Sequence, residues 1–111
     1  MPSIEVTDEQ YAKIKAEYGI DVKDIQSYED LVEGSYFFRT VTYHMLGKVK
    51  KIVGRFAYLE EASWIADSGR FMNAIKDGTL SEVEPVGKAF INLDTIVDFF
   101  PWTHKLPTEQ K

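Results

Sequence analysis

The chain has 111 residues, of which 44% are hydrophobic and 14% aromatic, and its formal net charge is −5. This size and composition predict one globular domain with one core. The acidic balance disfavours binding to long DNA or RNA, because neutralisation of phosphates supplies most non-specific affinity. The absence of cysteine excludes disulfides, thiolate catalysis and cysteine-ligated metal sites.

The N-terminal residues MPSIEVTDEQ are acidic and lack a basic segment followed by an apolar one, so no signal peptide is predicted. No apolar run reaches the roughly 20 residues that span a bilayer. We therefore expect a cytoplasmic protein that makes no contact with membranes.

The N-terminal third of the chain is predicted to be helical. Thr7 and Gln10 match a capping box and are followed by apolar residues at helical spacing, which predicts a helix over 8–18. Residues 20–34 fit either a second short helix, entered at Ser27, or an irregular connector. Both alternatives leave this part of the chain without strands.

The rest of the chain is predicted to be rich in strands, because aromatic and β-branched residues cluster in short runs. A short helix over 70–78 interrupts them. The predicted strands are 36–44, 48–53, 56–65, 88–93 and 95–100.

Five short antiparallel strands usually close on themselves, since closure removes exposed edges. We therefore expect an α+β fold: a small five-stranded antiparallel SH3-like barrel with an N-terminal helix and a short inserted helix. The predicted division is an N-terminal helical segment over 1–34, a barrel-like domain over 35–105 and a disordered tail over 106–111.

The segment EASWIADSGRF, residues 61–71, joins the third predicted strand to the short helix. Asp67 and Ser68 can accept hydrogen bonds from the free N–H groups at the start of that helix. Gly69 can adopt a backbone conformation that other residues resist. One interpretation is therefore a structural corner with Trp64 in the core.

The same segment is also a candidate binding loop. Arg70 offers a planar fork of donors to a phosphate or carboxylate, and Trp64 can stack on a base. Asp67 then binds ribose hydroxyls and leaves Arg70 for phosphate. The candidate ligand-binding residues of this loop are Trp64, Asp67, Ser68 and Arg70.

The first predicted strand adds polar candidates. Alternation along 36–44 puts Thr40, Thr42 and His44 on one face. Arg39 falls on the other face. A row of threonine and histidine either lines a polar pocket or forms the solvated face of a sheet. Arg39, Thr42 and His44 are accordingly added to the candidate ligand-binding residues.

The sequence displays no catalytic apparatus. Its two histidines, His44 and His104, lack the spacing of a metal-binding helix motif, and no Walker loop or nucleophile elbow is present. The basic cluster over 48–55 is interpreted as a solvated face or as a sheet edge protected against aggregation, rather than as a nucleic-acid contact. We therefore expect no enzyme, no metal site and no cofactor.

Aromatic residues concentrate near the C-terminus beyond what one strand face can bury. They are either covered by the N-terminal helix or contribute to a subunit interface, where aromatic residues are enriched. We expect a homo-oligomer, since symmetric assembly is common. The candidate interface residues are Phe99, Phe100 and Trp102.

Several pieces of this sequence together resemble a family of small phage and prophage proteins. The resemblance covers roughly residues 35–105 and has Ser68 where the family pattern also has threonine. The pieces are YFFRTVT at 36–42, ASWIADSGRF at 62–71, IVD at 96–98 and Trp102.

This largely uncharacterised family supplies no catalytic residues to transfer to the chain. The resemblance implies a phage accessory protein made in the cytoplasm of the bacterial host. It leads to the hypothesis of a non-catalytic protein that binds and sequesters a host nucleotide-derived immune signal. The alternative is a protein-interaction module that inhibits a host enzyme or defence protein by docking onto it. A small enzyme that cleaves a nucleotide is a third hypothesis.

Overall fold

A computed structural model describes residues 25–111 and shows a five-stranded antiparallel sheet in the order β4-β3-β2-β1-β5. None of the helices in these residues is long and apolar enough to cross a membrane. The predicted helix over 8–18 lies outside the described residues. In chain order the elements are a 3₁₀ helix Tyr28–Leu31, β1 Ser35–Thr40, β2 His44–Val53, β3 Phe56–Asp67, α1 Phe71–Asp77, β4 Glu82–Asn92, a second 3₁₀ helix Leu93–Thr95 and β5 Ile96–Pro101.

Strand β1 buries aromatic rings on both faces of the sheet. Tyr36, Phe37 and Phe38 are each at most 1% exposed, and successive side chains of a strand point to opposite faces. Tyr36 and Phe38 pack with Leu31 of the first 3₁₀ helix, which covers this first face. The first cluster consists of Leu31, Tyr36, Phe38, Met45, Val49, Ala57, Leu59, Ala62, Ile91 and Leu93.

The second face is covered by α1 and by residues near the C-terminus. Ala74 of α1 is fully buried, and Trp102 stacks on Phe37 with the ring centroids 6.0 Å apart. Leu106 packs against the same group. The second cluster consists of Phe37, Leu46, Ile65, Ala74, Leu80, Val83 and Trp102.

The segment 36–44 is a strand followed by a tight turn, and not the single strand predicted. The Thr40 hydroxyl donates to the carbonyl of Tyr43 at 2.8 Å and accepts from its N–H at 3.1 Å, which reverses the chain. β2 then begins at His44, directly opposite Arg39. The predicted separation of Arg39 and His44 onto opposite faces is therefore wrong, because directly opposed residues share a face.

The boundaries of β4 also differ from the prediction. β4 begins at Glu82, six residues before the predicted start at residue 88. Pro85 is tolerated there because β4 is an edge strand. The predicted helix over 70–78 is confirmed as α1, and the second 3₁₀ helix lies between the predicted strands 88–93 and 95–100.

The five antiparallel strands and the helix between the third and fourth are confirmed, but the sheet does not close into the predicted SH3-like barrel. β4 and β5 are its two edges, and no ladder joins them. Because each face has its own cover, the sheet buries its apolar residues without curling onto itself. The disordered tail predicted over 106–111 stays a prediction, although Lys111 exchanges two backbone hydrogen bonds with Val83 at 2.9 and 3.0 Å.

Replacing Phe37 by alanine is expected to lower the free energy of unfolding by about 3–5 kcal/mol, because it empties the centre of the second cluster. Denaturant unfolding followed by circular dichroism measures this change. Val97→Ala is the control, since Val97 is 64% exposed, and should change the stability by less than about 0.5 kcal/mol. Equal effects of the two substitutions would contradict the central position of Phe37.

Candidate functional site

Residues 67–70 form a corner between β3 and α1. Asp67 Oδ1 accepts a hydrogen bond from the N–H of Gly69 at 2.8 Å, and the Asp67 carbonyl accepts from the N–H of Ser81 at 3.0 Å. Gly69 has a φ of +71°, and a Cβ there would lie 2.7 Å from Ser81 Oγ. The corner therefore requires both the carboxylate of Asp67 and the glycine that follows.

Arg70 occupies the N-cap position of α1, which the sequence analysis assigned to Asp67 and Ser68. No side chain caps the helix, and the carbonyl of Arg70 accepts from the N–H of Ala74 at 3.1 Å. The Arg70 side chain is exposed and forms no ion pair within residues 25–111. Its guanidinium therefore has no carboxylate partner in this part of the chain.

Trp64 lies on the first face of the sheet. It stands directly opposite Met45, a member of the first cluster, and is 38% exposed. The helix that follows Arg70 covers the second face. The structure thus places the Trp64 ring on the face opposite to α1, and the predicted pairing of Trp64 with Arg70 has no support from this arrangement.

Arg39 is held in an ion pair with Asp98 of β5. Arg39 Nε donates to Asp98 Oδ1 at 2.7 Å, and Nη2 contacts Oδ2, so the pair is bidentate. The guanidinium also lies 4.3 Å from the ring centroid of Phe71 in α1. Arg39 therefore joins β1, β5 and α1, and it is not a free donor for a phosphate.

The same contact determines the charge of both partners. The hydrogen bond from Arg39 holds the pKa of Asp98 below its ordinary value, and the hydrogen bond to Asp98 raises the pKa of Arg39. Partial burial opposes both shifts. Both groups are therefore charged at neutral pH.

The ion pair between Asp98 and Arg39 was not predicted from the sequence. The available signal was a pair of opposite charges on two predicted strands, 36–44 and 95–100. That signal does not say which strands are neighbours. The pairing of β1 with β5, which puts Asp98 opposite Arg39, is a long-range contact.

His44 completes a cross-strand row with Arg39 and Asp98. It lies opposite Arg39, and its ring centroid is 5.5 Å from that of Phe37. Its Nδ1 atom is buried and has no hydrogen-bond partner within the described residues. The row therefore contains a histidine whose neighbouring carboxylate, Asp98, is already engaged by Arg39.

Thr42 lies on a different surface from this row. It is exposed in the turn between β1 and β2, where it lines a groove of about 470 Å³. Asp94 lines the same groove and pairs with Arg55, Nη1 to Oδ2, at 2.9 Å. The predicted ligand-binding residues of the first strand are therefore divided between two surfaces.

The predicted interface aromatics also have different environments. Trp102 is 3% exposed and belongs to the second cluster, so it is a core residue and the interface prediction is wrong for this ring. Phe100 packs edge to face against Phe71 at 5.2 Å. Phe99 is 38% exposed and lines an open groove of about 530 Å³ next to Tyr28.

Ser63, which belongs to the sequence piece 62–71, is fully buried opposite Leu46. Its hydroxyl has no hydrogen-bond partner within the described residues. Burying a hydroxyl in this way costs about 1–3 kcal/mol. Because no part of Ser63 reaches the surface, its hydroxyl cannot meet a substrate as a nucleophile.

Comparison of the sequence with protein-family models and with curated proteins finds no match.

Replacing Asp98 by asparagine is expected to destabilise the protein at pH 7 and to have little effect at low pH. Folding lowers the pKa of Asp98 from an ordinary value of 3.8, so the unfolded state binds the proton first as the pH falls. The stabilisation is complete above that value and is lost as the pH falls through the folded-state pKa. Urea unfolding of wild type and variant at neutral pH and near pH 2–3 measures the difference.

Asp94→Asn is the matched control for this measurement. The Arg55 partner of Asp94 is 79% exposed at its side chain, against 33% for Arg39, so solvent screens that pair more strongly. We expect a smaller loss at neutral pH from Asp94→Asn. A loss for Asp98→Asn that is the same at both pH values would show that charge is not its cause.

Proposed function

We propose that this protein is a non-catalytic binding protein that sequesters a nucleotide-derived small molecule. The observation that carries the proposal is the exposed Arg70, which has no ion pair within the described residues. A guanidinium presents planar paired donors that match the oxygens of a phosphate. An arginine held at a rigid corner and unpaired among residues 25–111 is therefore suited to an anion.

The corner itself supports this role. Asp67 and Gly69 fix the backbone immediately before Arg70 through the hydrogen bond at 2.8 Å and the positive φ of the glycine. Less conformational entropy is then lost when the arginine binds, because its backbone is already ordered. The corner and binding interpretations of residues 61–71 are therefore compatible.

Two features favour binding over turnover. The Ser63 hydroxyl is fully buried, and Asp98, the carboxylate in the row with His44, is held by Arg39 in a bidentate pair. A catalytic histidine normally has its second nitrogen oriented by a hydrogen bond, and His44 Nδ1 has no such partner within the described residues. This arrangement suits a protein that returns its ligand intact.

The resemblance to phage and prophage proteins suggests the class of ligand. In that setting the proposed ligand is a host nucleotide-derived immune signal, and the proposed location is the bacterial host cytoplasm. The sequence block that carries most of the resemblance, 62–71, also contains the exposed arginine. The exposed arginine therefore lies in the sequence segment on which the resemblance mainly rests.

Isothermal titration with cyclic dinucleotides, cyclic trinucleotides and cyclic ADP-ribose isomers tests the proposal. At least one of them should release or absorb heat with the wild type. Arg70→Ala should weaken that binding at least about ten-fold, since a charge-assisted hydrogen bond contributes about 1.5–3 kcal/mol. Arg55→Ala, which removes another exposed arginine, should bind as the wild type does.

The ligand should be recovered unchanged after heat denaturation of the complex, which distinguishes sequestration from cleavage. Loss of ligand during incubation would favour the enzyme hypothesis instead. A folded wild type that gives no heat with any of these compounds would contradict the proposal. Unfolding of Arg70→Ala would show that the arginine is mainly structural.

A second candidate function is direct docking onto a host enzyme or defence protein. It is favoured by the open groove of about 530 Å³ beside Phe99 and Tyr28, which are 38% and 48% exposed. Exposed aromatic rings are typical of protein interfaces. The proposed homo-oligomer would use the same groove.

Pull-down from host lysate and sedimentation velocity test these docking proposals. Phe99→Ala should release a stoichiometric protein partner, or shift an oligomer to monomer, because it removes a ring from the groove. Val41→Ala is the control, since Val41 is 86% exposed and lies outside that groove. A monomeric wild type that captures no protein would count against docking.

A further inference from the structure

Among the residues that the structure describes, one end of the second face of the sheet stays exposed. Along β3, Ala57 and Leu59 are fully buried in the first cluster. Because side chains alternate, Phe56 and Tyr58 point to the second face. The cover of that face, α1 and Trp102, packs at the other end of the sheet with Leu46, Ile65 and Val83.

Neighbouring strands extend this uncovered area. Phe90 of β4 lies opposite Tyr58, with their ring centroids 5.0 Å apart, and Lys51 of β2 lies opposite Tyr58 on the other side. Phe90 is 57% exposed, Val53 47% and Phe56 42%. We call this area the aromatic face; it consists of Lys51, Val53, Phe56, Tyr58 and Phe90.

The charges around the aromatic face differ in sign from the chain as a whole. Lys51 Nζ lies 5.6 Å from the ring centroid of Tyr58, and Lys88 stands two residues before Phe90 on the same side of β4. Neither lysine forms an ion pair within the described residues. Glu60 supplies a carboxylate on the same side of β3, and it accepts a hydrogen bond from the Tyr58 hydroxyl.

We propose that the aromatic face binds single-stranded nucleic acid. Bases stack on Phe90 and Phe56, and Lys51 and Lys88 contact phosphates. Stacking suits any base, because every base has a flat π surface, so the contact requires no particular sequence. This site is separate from Arg70, and its existence does not depend on the proposed function.

The position of Lys51 decides between this ligand and a protein partner. Lysine is depleted in the centre of protein interfaces, where aromatic residues are enriched. Here Lys51 stands directly beside Tyr58, with its ammonium group 5.6 Å from the ring centroid, so a protein surface that covered this ring would have to desolvate the charge. A polyanion with flat bases satisfies the rings and the lysines together.

The negative charge of the whole chain limits the strength of this binding but does not remove the local attraction. At −5 the protein repels long nucleic acid at a distance, and this repulsion is screened beyond about 8–10 Å at physiological salt. Stacking and the two lysines act at contact. We therefore expect modest affinity for short single strands and none for duplexes, whose bases are already stacked.

Fluorescence anisotropy with the full-length protein tests the proposal. The probes are labelled oligo-dT and oligo-U of about 12 nucleotides, whose comparison separates DNA from RNA, and a duplex of the same length. Both single strands should bind. With two phosphates neutralised, affinity should fall about seven-fold between about 50 and 200 mM salt.

Substitutions of Phe90 separate stacking from general apolar contact. Phe90→Leu should weaken binding at least about five-fold, because leucine keeps an apolar surface but has no π system. Phe90→Trp should retain binding. Lys51→Gln should reduce the magnitude of the logarithmic salt slope by about 0.7, the value for one phosphate on a single strand. Met72→Leu, which changes an exposed side chain of α1 away from the aromatic face, should bind as the wild type does.

Several results would overturn the proposal. They are no anisotropy change with either single strand, equal binding by Phe90→Leu and wild type, and equal binding of the duplex. Loss of wild-type self-association in Phe90→Leu, without any oligonucleotide binding, would show that a second copy of the chain covers the aromatic face. Circular dichroism of each variant confirms that a loss of binding is not a loss of fold.

Discussion

Burial of β1 on both faces is the constraint on which the rest of the structure depends. Tyr36 and Phe38 point to one side, Phe37 points to the other, and all three are almost completely removed from solvent. An antiparallel sheet usually has one wet face, so a strand of this kind needs two covers. The first 3₁₀ helix supplies one, and α1 with Trp102 supplies the other.

This constraint determines which charged and aromatic groups remain free. Covering Phe37 brings α1 against β1 and β5, and Arg39 is then enclosed between Asp98 and the ring of Phe71. Arg70, one residue before the helix, stays in solvent.

The length of α1 determines which aromatic rings stay exposed. Because α1 has only seven residues, it does not cover the far end of the sheet, where Phe56 and Phe90 remain exposed. The aromatic face thus follows from the short cover of the second face.

The sequence predicted those structural features that depend on neighbouring residues along the chain. Gly69 and Asp67 marked a corner, which depends on the conformational preferences of these two residues. The break after Thr40 was missed, because its turn uses a threonine hydroxyl and contains no glycine or proline. The prediction of a barrel was wrong for a different reason. Whether a sheet closes depends on which segments pack on each of its faces, and those are tertiary contacts.

By itself, then, the sequence determined the strand count, the inserted helix and the arginine next to a rigid glycine corner, because these follow from side-chain alternation and backbone preference along neighbouring residues. Only the tertiary structure decided that Arg39 forms an ion pair with Asp98, that Trp64 and α1 lie on opposite faces of the sheet, and that Trp102 is a core residue. Those facts depend on contacts between distant strands. A pattern read along one chain carries the chemistry of each residue but not the identity of its neighbours in space.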